Sequence, residues 1–292
     1  MLHRLLYSDW EHPPEAMAFE VSYQDAIERL ASLLEGILPG KSSALADPAS
    51  MPAPFWAACL DLYLLAPALV NVALNYKICV EQGLPLHATH YFEVSDKTRL
   101  QKEYPSEQIH QAQAFFLGSI AVARAAYALS PDAPRLLTEF AAHLPPGVSD
   151  FLFTSTRDKY TWRASDPKKI QALAQSVTKA VQPVAIVGAA HGSIMSGLLL
   201  ANLLEAPLYF VRFSMFKRKD TAPIISQSDL AFLNAYRQGP VLLFDEDVAK
   251  GTTLTHFTNF LAPFFAKSYS AGVLRHGHAS FRPDFTGHVW YD

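Results

Sequence analysis

Between Val241 and Leu254 the chain reads VLLFDEDVAKGTTL, and this string restricts the fold more than any other stretch. Four apolar residues make a buried strand, and three carboxylates (Asp245, Glu246, Asp247) arrive at its carboxyl end. A short turn with one glycine and two threonines then opens a helical pattern running from Thr253 to Phe265. A strand delivering its polar residues into a helix-opening turn is a unit of an α/β sheet.

The neighbouring segments continue the alternation. Pro167 to Ala180 reads as a helix, Val184 to Val187 as a strand, Ile194 to Leu204 as a helix and Leu208 to Phe213 as a strand. Asp229 to Ala235 reads as a short helix and Tyr269 to Leu274 as a further strand. Strands and helices of these lengths in alternation predict a parallel sheet with helices on its faces. Ligands of such sheets sit outside the carboxyl ends of the strands, so the loops after Val187, Phe213 and Phe244 are where a site is expected.

The first half has another texture. Phe19 to Leu38 and Ile109 to Leu129 carry apolar residues at helical spacing, and Phe55 to Val80 is the most apolar stretch, containing Asp61, Pro67, Asn71 and Asn75. A bilayer-spanning helix needs about 20 mostly apolar residues, so the interruptions favour one or two buried helices of a soluble domain. The run Pro145-Pro146-Gly147 marks a break. The expectation is a helical region over 1–146 and an α/β domain over 147–292. Phe151 to Thr154 is a further short apolar run just past the break.

The chemistry of the Val241–Leu254 string points to a sugar phosphate. Adjacent carboxylates repel one another unless a ligand or cation uses them, and vicinal sugar hydroxyls are good donors to carboxylates. The turn supplies backbone N–H groups and Thr hydroxyls at a helix N-terminus, which suits phosphate, and Lys250 adds a cation. The competing reading is a solvated acidic turn with an ordinary helix cap. The G-x-x-x-x-G-K-[ST] order of a nucleotide-binding P-loop is absent.

This segment resembles the PRPP-binding motif of type I phosphoribosyltransferases: apolar residues, an acidic pair, a short turn, then Gly-x-Thr. The resemblance implies that Asp245 and Glu246 hold the ribose hydroxyls, with Mg²⁺ nearby, and that Ala249, Lys250, Gly251, Thr252 and Thr253 form the 5-phosphate loop. It also implies a pyrophosphate loop at Ala190, His191 and Gly192, within VAIVGAAHGSIMSG. Arg212 and a flexible catalytic loop containing Lys217, Arg218 and Lys219 would hold pyrophosphate, with Lys217 as a catalytic cation. In PDFTG near the end, Phe285 matches the ring that stacks on the base, and Arg275 falls near a base-contacting position. The hood over the site would come from Phe151 to Ala180 or from the N-terminal helices. For His191, the basic loop and Phe285, plain structural roles stand beside these functional ones. Two departures bear on the reaction. Lys250 stands where the family has Thr or Ser, and Ala249 stands where 6-oxopurine enzymes carry an Asp.

The function implied is phosphoribosyl transfer from PRPP to a purine-like base. The alternative is a catalytically silent PRPP- or nucleotide-sensing regulator, and a third reading makes the helical half a partner-binding module. A formal net charge of −3 gives no electrostatic case for nucleic acid or an anionic membrane. The partners expected are therefore small molecules, PRPP and a base, and the resemblance admits a homodimer. The N-terminal stretch has no long apolar segment followed by small residues, so a cytoplasmic location is expected. Cys59 and Cys79 lie in apolar surroundings and are expected to be buried free thiols. The scattered histidines, His87, His90, His276 and His278 among them, form no metal-binding pattern.

Overall fold

A computed structural model describes residues 1–291. The chain divides into two compact units, Met1–Asp9 with Pro14–Arg157, and Trp10–Pro13 with Asp158–Asp292. The division falls beyond the Pro145–Gly147 break, because Leu152–Ser155 pairs inside the first unit.

That unit opens with a short strand, β1 (Phe19–Ser22), followed by helices α1 (Tyr23–Ile37), α2 (Lys41–Ala46), α3 (Ala53–Gln82), α4 (Lys97–Leu100), α5 (Ser106–Ala128) and α6 (Ala133–Ala141). The periodicity had suggested helix from Phe19. Its first residues instead pair antiparallel with β2 (Leu152–Ser155), Phe19 opposite Ser155. The Ser22 side chain then accepts from the Asp25 amide at 3.0 Å and starts α1 as an N-cap. The apolar stretch is one helix, α3, buried on most sides, with Pro67 inside it. It is the helix, among the described residues, long and apolar enough to cross a membrane, and 72% of its most apolar window is buried within the protein. Polar tips in this core find partners. The Tyr127 hydroxyl donates to the Tyr63 carbonyl at 2.6 Å, and Lys77 pairs with Glu81 at 2.6 Å one turn along α3. Cys59 and Cys79 are buried free thiols, and burial pushes the Cys59 thiol up to about 12.

The second unit carries α7 (Lys159–Arg163), α8 (Pro167–Ala180), β3 (Ala185–Ala190), α9 (Ile194–Leu203), β4 (Leu208–Arg212), α10 (Gln227–Ala235), β5 (Pro240–Val248), α11 (Thr252–Leu261), β6 (Lys267–His276) and β7 (Phe285–Trp290). Five strands form one parallel sheet in the order β4-β3-β5-β6-β7. From β3 the chain first moves outward through α9 to β4, then returns across β3 to β5 and continues to β6 and β7. Right-handed crossovers place α9 on one face and α11 on the other. Strand order therefore reverses between β3 and β5, and a crevice opens outside their carboxyl ends. Both strands are buried on both faces up to that point, which their unbroken apolar runs AIVGAA and VLLF require. Trp10 from the N-terminal stretch stacks on Trp162 at 4.4 Å, and Glu11 lies 3.0 Å from the Arg163 Nε.

Candidate functional site

A cavity of about 690 Å³ occupies this crevice, walled by the carboxyl ends of β3, β4, β5 and β6 and by α7. It brings together the loops named from the sequence: His191 and Gly192 after β3, Ser214 to Arg218 after β4, and Asp245 to Leu254 after β5.

The strand runs past Phe244, where the apolar run ends, so the three carboxylates belong to β5, which continues to Val248. Strand alternation puts Asp245 and Asp247 on one face and Glu246 on the other. Crowding three carboxylates in a buried strand end has the expected electrostatic result. Burial, then repulsion from Asp245, pushes Glu246 well above the ordinary carboxylate range. Burial and then Glu246 raise Asp247 to about 7. Asp245 is raised chiefly by burial, with Asp247 adding to it, while a hydrogen bond from Glu246 opposes the rise. Glu246 Oε2 is buried with no hydrogen-bond partner. An orphaned carboxylate oxygen inside an overcrowded acidic cluster fits a site for a hydroxyl-bearing ligand, a cation or both.

Gly192 is the counterpart of Glu246 across the cavity. A Cβ on Gly192 would lie 2.0 Å from Glu246 Oε1, so the loop after β3 needs glycine to leave room for the carboxylate. Gly192→Ala is expected to swing Glu246 aside and weaken any ligand held by that carboxylate at least about tenfold, the value of one charge-assisted hydrogen bond. The flexible side chain absorbs the clash, so thermal unfolding should move by no more than about 1 kcal/mol. Calorimetric titration beside a melting curve checks both.

The turn after β5 has the shape of an anion cradle. Gly251 adopts φ +87 and lies against Phe281, so its backbone enters α11 through the left-handed region. Thr252 and Thr253 follow as the first helical residues, where backbone N–H groups lack intrahelical acceptors. Ala249 and the exposed Lys250 complete the rim.

Of the cations, Lys217 stands at the cavity wall, 71% exposed, and pairs with Asp158 at 3.0 Å. Burial alone would raise Asp158, but Lys217 and the amides of Tyr160 and Thr161 hold it below the ordinary range. His191 is pushed well below the usual imidazole range by burial and by Arg218, Arg212 and Lys217, so it is neutral at pH 7.

Four of the expected residues lie away from the cavity lining. Arg212 does not face the cavity. It is buried and makes a bidentate pair with Asp220, Nη2 at 2.8 Å and Nε at 3.2 Å, which fixes the base of the β4–α10 loop. Asp220 also accepts from the Ser214 amide at 2.8 Å, and the Arg212 carbonyl from the Ile224 amide. Phe285 is not a stacking ring at the site. It is a buried residue of β7, opposite Ala271 and 5.6 Å from Tyr269. Arg275 is in β6 between the cavity-lining His276 and buried Leu274, so its side chain takes the opposite face. Ala190 is likewise a fully buried strand residue, and its neighbours Ala189 and His191 reach the cavity in its place.

The structure adds residues that the motifs did not indicate. Tyr160 and Asp158 come from α7 and its N-cap, within the Phe151–Ala180 range expected to form a hood. His276, His278 and Trp290 come from the end of the sheet. Their only sequence signal was repeated histidines and a late aromatic residue.

No protein-family profile matches the sequence, and no curated protein does. Solved structures do resemble part of the chain. A purine phosphoribosyltransferase from Pyrococcus horikoshii Ot3 is similar over 44% of this chain and 86% of its own, with 20% identity and a TM-score of 0.35. An orotate phosphoribosyltransferase from Aeropyrum pernix is similar over 48% and 82%, with 16% identity and a TM-score of 0.34. A hypothetical protein from Neisseria gonorrhoeae with bound ppGpp is similar over 44% and 80%, with 21% identity and a TM-score of 0.35. Over 44% to 48% of its length the chain is similar in structure to these phosphoribosyltransferases.

Proposed function

We propose that the C-terminal unit binds PRPP and transfers its ribose 5-phosphate to a small nitrogenous acceptor. The observation that carries this is the pairing, across one cavity, of an overcrowded buried carboxylate cluster with a left-handed glycine turn opening a helix. In this reading Asp245 and Glu246 accept from the ribose hydroxyls, relieving the orphaned Glu246 oxygen. The amides of Gly251 to Thr253 and the Thr hydroxyls hold the 5-phosphate, with Lys250 at the rim. His191, Gly192 and Lys217 face the pyrophosphate, and the exposed Lys217 exchanges its Asp158 partner for phosphate oxygens. Such a surface pair is worth little, so the exchange costs little. Mg²⁺, which Asp245 and Glu246 would help hold, supplies charge neutralisation of the leaving pyrophosphate when bound. The protein's contribution to rate is positioning, charge complementarity and exclusion of water.

Incubation of the pure protein with PRPP, Mg²⁺ and a panel of bases is expected to release pyrophosphate with at least one base. Failure of PRPP to bind in a calorimetric titration would refute the assignment. PRPP binding without turnover would instead indicate a sensing role. Sequestration of Arg212 by Asp220, which removes one expected pyrophosphate cation, favours that second reading.

A further inference from the structure

Of the elements that wall the cavity, α7 is the least able to stand alone. It has five residues, too few for a stable isolated helix. With its cap it nevertheless brings Asp158, Tyr160 and Thr161 to the cavity. The Asp158 cap holds its first turn, and residues far upstream hold its other side. Trp162 is fully buried, and Trp10 lies nearly parallel on its ring, at 4.4 Å and 23°. Glu11, 152 positions before Arg163, takes the Arg163 guanidinium at 3.0 Å and the Lys169 ammonium at 3.5 Å. Lys169 in turn donates to the Arg163 carbonyl, the last of α7, at 3.2 Å. The Arg163 guanidinium also lies over the Trp290 ring of β7 at 4.5 Å. Trp10–Pro13 thus form a strap that belongs to the C-terminal unit although it comes from the start of the chain.

We propose that Trp10 and Glu11 are positioning residues for the site: as a strap over α7 they keep Asp158 and Tyr160 in the cavity wall. This rests on the phosphoribosyl-transfer reading only for the ligand that the wall serves. Losing the Trp10 ring uncovers a face of Trp162. A helix of one turn then resists fraying only through bonds such as Trp162 N to Asp158 O at 2.9 Å and Ala164 N to Tyr160 O at 3.0 Å. Loosening α7 reaches the loop after β4 as well, because Lys217 pairs with Asp158 at 3.0 Å. Asp158 also adds to the repulsion felt by Glu246 and Asp247, so its place bears on the charge of the acidic cluster. The strap therefore touches no ligand and acts on the site through the helix that it covers.

The test uses the full chain and compares Trp10→Ala, Trp10→Phe and Glu11→Gln with the parent by hydrogen exchange and by calorimetric titration of PRPP with Mg²⁺. In Trp10→Ala the Trp162 and Ala164 amides should exchange at least about tenfold faster, the scale of one lost aromatic pair, while the amides of β3 and β5 keep their rates. PRPP affinity should fall by a similar factor. Trp10→Phe keeps a ring that can stack and should restore both. Glu11→Gln breaks the Glu11 ion pairs and leaves the stack in place, so it should speed the same amides about threefold. It keeps the test valid if Trp10→Ala fails to fold. Unchanged α7 exchange in the variants, or faster exchange with PRPP affinity equal to the parent's, overturns the proposal. Faster α7 exchange in a protein whose parent never binds PRPP upholds the strap and removes the phosphoribosyl reading.

Discussion

The double substitution Asp245→Asn with Glu246→Gln should make the protein more stable at pH 8 while removing at least about 99% of the PRPP affinity proposed for it. Both effects have one cause. The two carboxyl groups are held above their ordinary range by burial and by crowding with each other and Asp247. Between the ordinary carboxylate range and the raised folded values the folded state therefore binds more protons than the unfolded chain. Stability is then greatest at acid pH and falls as the pH rises through the folded values, about 6 for Asp245 and about 7 for Asp247. Each unit of upward shift corresponds to about 1.4 kcal/mol of lost stability at high pH. Amides of the same shape carry no charge to repel, so the variant should melt higher at pH 8 and show a flatter melting profile between pH 5 and 8. The same change removes two charged acceptors for ribose hydroxyls, each worth about 1.5–3 kcal/mol, hence a loss of binding of about a hundredfold or more. Calorimetric unfolding at pH 5 and 8, with PRPP titration at pH 8, measures both. A variant that melts lower at pH 8 would show that the cluster is not strained without its ligand.

Asp220→Ala is expected to have the opposite character, a large loss of stability by about 3 kcal/mol. Arg212 and Asp220 are 2% and 5% exposed in their side chains. Taking one partner from a buried ion pair costs far more than the pair itself is worth, because the remaining charge stays in a poor solvent. Asp220 also holds the Ser214 amide, so its removal loosens the start of the loop that carries Lys217 to the cavity. Denaturant unfolding should show the loss in stability. Limited proteolysis should then cut first between Ser214 and Asp220. A variant within about 0.5 kcal/mol of the parent would show that Arg212 is held by its other surroundings.

Much of the site was legible because it is local. VLLFDEDVAKGTTL carries its strand, its carboxylates and its phosphate turn within one supersecondary unit, so no knowledge of distant neighbours was needed to place Asp245, Glu246 and Gly251 to Thr253 together. His191 and Gly192 came from the same kind of strand–turn–helix unit. The alternation of elements also sufficed for a parallel sheet. Sequence and structure part where a residue's surroundings depend on what lies beside its strand. Phe285 and Arg275 resembled base contacts by chain order, yet β7 pairs with β6 and turns Phe285 into the core. Arg212 had the charge for pyrophosphate, but Asp220 folds back onto it.

The amino-acid sequence by itself determined that the second half is a helix-covered parallel sheet with carboxylates and a glycine turn at a strand end, because apolar runs and turn residues act over a few positions. Only the tertiary structure decided which side chains face the cavity. Strand order sets the reversal between β3 and β5, and register brings Asp247, His276 and Trp290, distant in the chain, onto one wall with Tyr160. Long-range pairing of this kind is set by the burial of whole faces, which no short string of residues encodes.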